Sequence, residues 1–448
     1  MKDISLNTLA GFEARFDQQA NSRLAMNAVT KAGINSVSAS YDLQRRMRYG
    51  FSLELETGKL TNQKSSGRCW MFASLNTMRV KVMEKLNLET FELSQNYPLF
   101  WDKLEKANYF LESILDTLDE PVNGRLVSFL LSAPLNDGGQ WDMFANIVAK
   151  YGVVPKEMMP ETFHSSNTGV MNKYLTLKLR EFACILREAH AAGKSREELA
   201  AQKEEMLYTI YQMLCICLGK PPREVVLEIR DKDDNFHRVG PMCPKAFFDE
   251  YVGMKLDDYV SLINAPTADK PYNRTYTVKY LGNVKEGNPV KYLNLPVEEL
   301  KAAAIKQMQD GKLVWCGFDV GQRLDVEWGS MDLESLYLTA TLNTTFPLTK
   351  AQRLDYGESC MTHAMVFSGV NLDENGKPNR WKVQNSWGEE RGNKGWYLMS
   401  DDWFSEYTYQ VLIEKKYLTE EQLAALEQEP IALEPWDPMG SLALMKEI

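Results

Sequence analysis

Histidine is the scarcest chemically useful residue in this chain, with four among 448 positions. There is no His-Glu-x-x-His stretch and no Cys-x-x-Cys pair. The common zinc and dithiol motifs are therefore missing, and the expectation is no metal and no cofactor. Long apolar runs are missing too: none reaches the roughly eighteen residues of a membrane-crossing helix. The N-terminal MKDISLNTLAGFEARFDQQ has neither the apolar centre nor the small-residue cleavage pattern of a secretory leader. These absences lead to the expectation of a cytoplasmic protein without a membrane partner, in which the Asn-x-Thr triplets at Asn273 and Asn343 are chance matches. Positive charge is not in excess. A formal net charge of -10 offers no general footing for nucleic acid, and none is expected as a partner.

What is present is a globular composition, 44% apolar and 25% charged, in a chain long enough for a large core. Seven cysteines lie scattered at 69, 184, 215, 217, 243, 316 and 360, an odd number that a reducing compartment would keep as thiols. The first part of the chain reads as helical. Residues 1–45 are partly amphipathic with a break near Gly33. Met71, Leu75, Met78 and Val82 recur at helical spacing after Cys69. Further helices are predicted over about 93–119, 141–151 and 171–218. After Pro266 and Pro271 the texture changes: TYTVKYLGN, KLVWCGFDV, HAMVFSGVNL, RWKVQNSW and GWYLMS read as strands, with the helix VEELKAAAIKQMQDG among them. A helix-rich part followed by a sheet-rich part predicts an α+β fold of two lobes with a cleft between them.

Attack on an amide needs a nucleophile, a base and a group that orients the base. Cys69 falls at the start of a helix, where the dipole and open N–H groups favour a thiolate, and Ser65, Ser66 and Gly67 are placed to cap that helix. A buried structural thiol is the plain alternative for a lone cysteine. His363 opens an apolar strand, and its small or apolar neighbours place it at a cleft edge; its alternative is a satisfied core histidine. Asn385, in QNSWG, can accept an imidazole N–H and fix the tautomer, or simply serve a turn. Trp387 is expected to shield that bond. Gln63 can add its amide N–H₂ to the Cys69 N–H as an oxyanion site. Gly138 and Gly139, lacking Cβ atoms, would let an extended peptide lie against the backbone, unless they only make a turn.

QKSSGRCWMFA at 63–73 resembles the segment around the papain-type nucleophile, THAMVFSGV its histidine strand, and QNSWG its asparagine motif. The order Cys, His, Asn is the same. The interval from 69 to 363 is 294 residues, against roughly 130–150 between nucleophile and distal partners in secreted papain-like enzymes. That extra length, with LNDGGQWD, YGESCMTHAM and the ending EPWDPMG, resembles the family of bleomycin hydrolase and bacterial aminopeptidase C. The resemblance implies a papain-like two-lobed cysteine peptidase with a large helical insertion. It divides the chain into an N-terminal helical extension (1–60), a helical lobe with the nucleophile (61–159), a helical insertion for oligomerisation (160–265), a sheet-rich lobe with His363 and Asn385 (266–415) and a C-terminal arm entering the cleft (416–448).

The resemblance further implies a cytoplasmic homohexamer that removes amino-terminal residues from peptide substrates through a thioester, with bleomycin-type amides as possible further substrates. In such enzymes the terminal carboxylate pairs with the substrate ammonium. The likeness here runs to Ala443, with Leu444–Ile448 as an overhang. The competing readings are a papain-like endopeptidase or amide transferase using the same nucleophile, and a non-catalytic papain-like binding scaffold; a metallohydrolase has too few histidines.

Overall fold

The structure is a computed structural model that describes residues 3–442. Its centre is a twelve-stranded mixed sheet. From one edge the order runs Ile431–Leu433, Arg274–Val278, Tyr292–Asn294, Tyr259–Ile263, Thr408–Glu414, Val314–Phe318, His363–Leu372, Pro378–Gln384, Trp396–Ser400, Ser330–Met331 and Leu324–Asp325, with Leu53–Glu54 also paired to His363–Leu372.

Strand alternation sends side chains to two different cores. Trp315, Ala364, Val366 and Tyr409 join the core on the nucleophile side, while Val314, Cys316, Met365, Phe367 and Val411 join the opposite one under helix Val297–Gln309. The helix Cys69–Lys85 lies against the first face, with Met71, Leu75, Met78 and Val82 all buried as their spacing predicts.

The helical block consists mainly of Gly169–Ala191 and Arg196–Leu218. Ser195 and Glu198 form a reciprocal cap that starts the second of these helices. Leu175, Leu179, Phe182 and Leu186 of the first pack with Met206, Ile210, Leu214 and Leu218 of the second, and both sets belong to the same core as the nucleophile helix. The block is thus continuous with one lobe. Within residues 160–265 the structure also holds an antiparallel hairpin, Val225–Arg230 with Phe236–Met242, where no strand was expected. VVLEIR alternates buried and exposed residues, and the polar DKDDN supplies the turn.

The N-terminal helices Leu6–Asp17 and Ala20–Ala32 form as expected, the second ending at Gly33, but neither buries a residue. At the other end, Ile431–Leu433 pairs in parallel with Tyr276–Val278 at the sheet edge. The chain then passes through a single turn, Pro438–Gly440, toward the nucleophile helix.

Candidate active site

Cys69 is the first residue of its helix. The expected cap by the preceding residues does not form: the N-cap position falls on Arg68, the Ser66 hydroxyl is engaged inside the loop, and the Ser65 backbone bonds outward to Ser166 and Thr168. Ser66 Oγ donates to the Gln63 carbonyl at 2.6 Å, and Gly67 N–H donates to Asp137 Oδ2 at 2.9 Å. No side chain caps the helix, so its positive end faces the thiol. Arg68 does not add its charge there; its guanidinium turns away to Glu161 in a paired contact of 2.9 and 2.8 Å.

The other lobe reaches Sγ through the adjoining strand: Ala364 N–H donates to it at 3.4 Å. One residue earlier, His363 Nε2–H donates to Asn385 Oδ1 at 2.9 Å. The pairing of Val366 with Gln384 on neighbouring strands sets Asn385 beside the ring. With the proton on Nε2, Nδ1 is left as the acceptor nitrogen, with no hydrogen-bond partner among the described residues. Trp387 covers the ring at a centroid distance of 5.0 Å. His363 is fully buried rather than at a solvent-facing edge, with the Trp387 ring packed over it. Burial pushes the Cys69 thiol up to about 12 against the pull of the Ala364, Trp70 and Cys69 N–H groups, and pushes His363 down to about 4 against the Asn385 bond. Both shifts favour the uncharged thiol–imidazole pair while the cleft is closed and dry.

Gln63 is buried at the same junction. Its Nε2 donates to Ser66 O at 2.6 Å, its Oε1 accepts from Ser386 Oγ at 2.6 Å, and its N–H donates to Ser386 O at 2.8 Å. One N–H of the amide is left over after these bonds.

The paired glycines have separate reasons to be glycine. A methyl at Gly138 would sit 1.5 Å from the Leu442 carbonyl oxygen, so the chain's own arm makes the close approach there. A methyl at Gly139 would meet the Trp70 indole at 2.6 Å, which is a packing requirement. The arm is held by Gln140 Nε2 donating to Ser441 O at 2.6 Å and by Ser441 Oγ donating to Met361 O at 2.5 Å. Ala443 lies outside the described residues.

The sequence carries no reading of Asp137, Glu161 or Ser386, and gives Ser66 the role of a helix cap instead of a partner of Gln63. Asp137 accepts from Gly67 N–H, from Lys103 Nζ at 2.6 Å, from Asn172 Nδ2 at 2.7 Å and from Thr168 Oγ1, tying the nucleophile loop to the helical block. Ser386 sits inside the QNSWG motif and was within reach of inspection; Glu161 has no local signal at all.

A two-lobed α+β fold with a thiol at an uncapped helix start and an imidazole–carboxamide pair on the facing sheet defines the papain-like class of cysteine peptidases. The Peptidase C1-like family profile matches residues 3–440, and the chain belongs to that family. It is 49% identical to Aminopeptidase C of Listeria monocytogenes over 442 residues, 99% of each chain. It is 43% identical to Bleomycin hydrolase of Gallus gallus over 454 aligned positions, 98% of this chain and 99% of that one. Among solved structures it superposes on pepw from Lactobacillus rhamnosis with a TM-score of 0.97 at 48% identity, covering 98% and 99% of the two chains. The protein is an enzyme, a cysteine-type peptide hydrolase.

Proposed function

We propose that the chain is a cysteine aminopeptidase in which Cys69 is the nucleophile, His363 the acid–base and Asn385 the group that orients it. The observation that carries this reading is the convergence of Cys69 Sγ, the Ala364 N–H and the His363–Asn385 bond at one lobe junction. Proton transfer from Cys69 to His363 generates thiolate and imidazolium. The thiolate attacks the scissile carbonyl, and the leftover Gln63 N–H and the Cys69 N–H receive the oxyanion. His363 protonates the leaving amine as the thioester forms. It then takes a proton from water, which releases the acid and restores the thiol. The Leu442 carbonyl lies against Gly138, next to the Gly139–Trp70 contact; an arm that continues from there into the cleft would confine cleavage to a free amino end, with Gly138, Gly139 and Ala443 lining the substrate's path. Bleomycin-type amides are a second substrate class, suggested by the likeness to bleomycin hydrolase.

Turnover of an unblocked fluorogenic aminoacyl amide, with no added amine acceptor, tests the reaction. Cys69→Ala should abolish both turnover and active-site alkylation. Full activity in that variant refutes the assignment, and a requirement for an amine acceptor would favour the transferase.

A homohexamer is the further reading. Leu6, Phe12 and Leu24 on the N-terminal helices and Val170, Tyr174 and Leu177 along one helix of the block are all exposed large apolar residues. Such surface is suited to cover by other copies. Light scattering at working concentration should give about six times the monomer mass; the monomer mass refutes it. A cytoplasmic location fits exposed thiols at Cys184 and Cys243, and fractionation checks it.

A further inference from the structure

Arg68 adjoins the nucleophile, yet the reaction above makes no use of it. The side chain is fully buried, and an unpaired buried guanidinium would be costly, so what it holds is informative. Its two terminal nitrogens bind both oxygens of Glu161, and its Nε donates to Ser66 Oγ at 2.8 Å. The bidentate pair fixes the plane of the guanidinium and therefore the direction of Nε–H. Ser66 Oγ passes the constraint on by donating to the Gln63 carbonyl, while the Ser66 carbonyl accepts from Gln63 Nε2, each at 2.6 Å. From the opposite lobe Ser386 Oγ pins Gln63 Oε1. A carboxamide is planar. Once its oxygen and one N–H are fixed, the second N–H has a single direction left, and that is the N–H available for the oxyanion.

Glu161 itself is held from outside the nucleophile loop. Ser165 Oγ donates to its Oε2 at 2.7 Å, and the next residue, Thr162, both caps helix Phe163–Ser166 and donates to Cys217 O at 3.1 Å on the long helix Arg196–Leu218. Burial alone would raise the Glu161 carboxyl, but the Arg68 and Ser165 bonds hold it below the ordinary range, so it is an anion in place. Two backbone bonds, Ser65 N–H to Ser166 O at 3.0 Å and Thr168 N–H to Ser65 O at 3.3 Å, lay the same segment along the loop.

We propose that Glu161 is a positioning residue for the oxyanion donor Gln63, acting through Arg68 and Ser66, so that the helical block sets the geometry of the reaction centre. The inference rests on the peptidase reading of Cys69 and Gln63. A loop that merely needs Glu161 to fold would show the same static contacts, so the test must separate the two.

A double-mutant cycle does so. Glu161→Gln is made in the wild-type and in the Gln63→Ala background, with kcat and KM measured on an unblocked aminoacyl amide and Cys69 alkylation by iodoacetamide followed in parallel. The expected result is a roughly tenfold fall in kcat with KM within about twofold and an unchanged alkylation rate. In the Gln63→Ala background the same change should have no further effect, because the group it positions is gone. Equal losses in both backgrounds, or no loss of kcat in the first, overturn the proposal. Should Glu161→Gln fail to fold, Ser66→Ala breaks the chain at its middle while leaving the Arg68–Glu161 pair intact, and the same collapse of its effect on removing Gln63 is required. Failure of the underlying reading shows separately: Gln63→Ala alone would leave kcat unchanged, or Cys69→Ala would remain active.

Discussion

Replacing Asn385 with alanine deletes an acceptor that serves two buried donors, the His363 Nε2–H at 2.9 Å and the Ser386 N–H at 2.7 Å. Neither donor can regain a water partner without movement, and each one left unsatisfied costs about 1–3 kcal/mol, most of which will appear as lost stability. The effect on rate is smaller and has a definite origin. Without the acceptor the imidazole can carry its proton on either nitrogen, and only the Nε2–H form leaves Nδ1 free to take the thiol proton. The preference lost is that of one neutral hydrogen bond, about 1 kcal/mol, which corresponds to roughly a fivefold fall in kcat. His363→Ala removes the acid–base group itself and should cost about 10²–10⁴. The assay is kcat on a free-amine fluorogenic amide, normalised to titrated Cys69, with thermal unfolding to confirm that both variants fold. An Asn385→Ala loss equal to or greater than that of His363→Ala would refute the division of labour. Asn385→Asp adds a second readout. A carboxylate beside a ring that burial now holds at about 4 must raise its pKa, so the acid limb of the rate profile should move to higher pH.

Gly138→Ala places a methyl against Leu442 and should displace the arm, so that amino-blocked peptides become substrates; unchanged specificity would show that the arm does not limit access. Gly139→Ala meets Trp70 instead and should lower thermal stability by about 1–3 kcal/mol without admitting blocked peptides. Asp137 is also open to a pH test. Burial would raise its pKa, but Lys103, Thr168 and the Gly67 N–H outweigh that and hold it well below the carboxylate range. A depressed folded pKa stabilises above the unfolded value of about 4 and loses that contribution as pH falls toward the folded one. The gap in unfolding temperature between wild type and Asp137→Asn should therefore be wide at pH 7 and narrow steadily below pH 4; a gap that is constant across that range refutes the assignment. Verified full-length protein compared with a chain ending at Ala443 tests whether Leu444–Ile448 impede the cleft: higher kcat/KM of the shorter form on free-amine peptides is expected if they do, and equality refutes it.

The residues proposed for chemistry were legible in sequence because each sits in a short segment whose local structure also places it: a helix start for Cys69, a strand start for His363, a post-strand turn for Asn385. The periodicity of Met71, Leu75, Met78 and Val82 and the helix-rich composition of 171–218 were likewise local, and helices formed where they pointed. What escaped was set by distant partners. Ser66 and Gly67 look like a helix cap until Gln63 takes the Ser66 hydroxyl and Asp137 takes the Gly67 N–H. Arg68 looks like a neighbour of the thiol until Glu161, 93 positions away, takes its guanidinium. His363 looked half-solvated because the residues that bury it come from elsewhere in the chain. The hairpin at 225–242 follows directly on the strong helical pattern of 171–218 and is masked by it, although VVLEIR alternates.

The parallel pairing of Ile431–Leu433 with Tyr276–Val278 has a consequence for how the enzyme would choose a bond. The strand moors the chain to a sheet edge, and a fixed number of residues then spans from Leu433 to the carbonyl that meets Gly138 at Leu442. If the arm sets the limit of the cleft as proposed, the length of that tether, which folds through the turn Pro438–Gly440, would work as a measuring stick. A residue deleted between Leu433 and Pro438 would draw the tip back, and an insertion would push it forward. On that proposed role, cleavage position would be encoded as chain length, and the size of the fragment released would change without altering an atom of the proposed Cys69, His363 and Asn385 set.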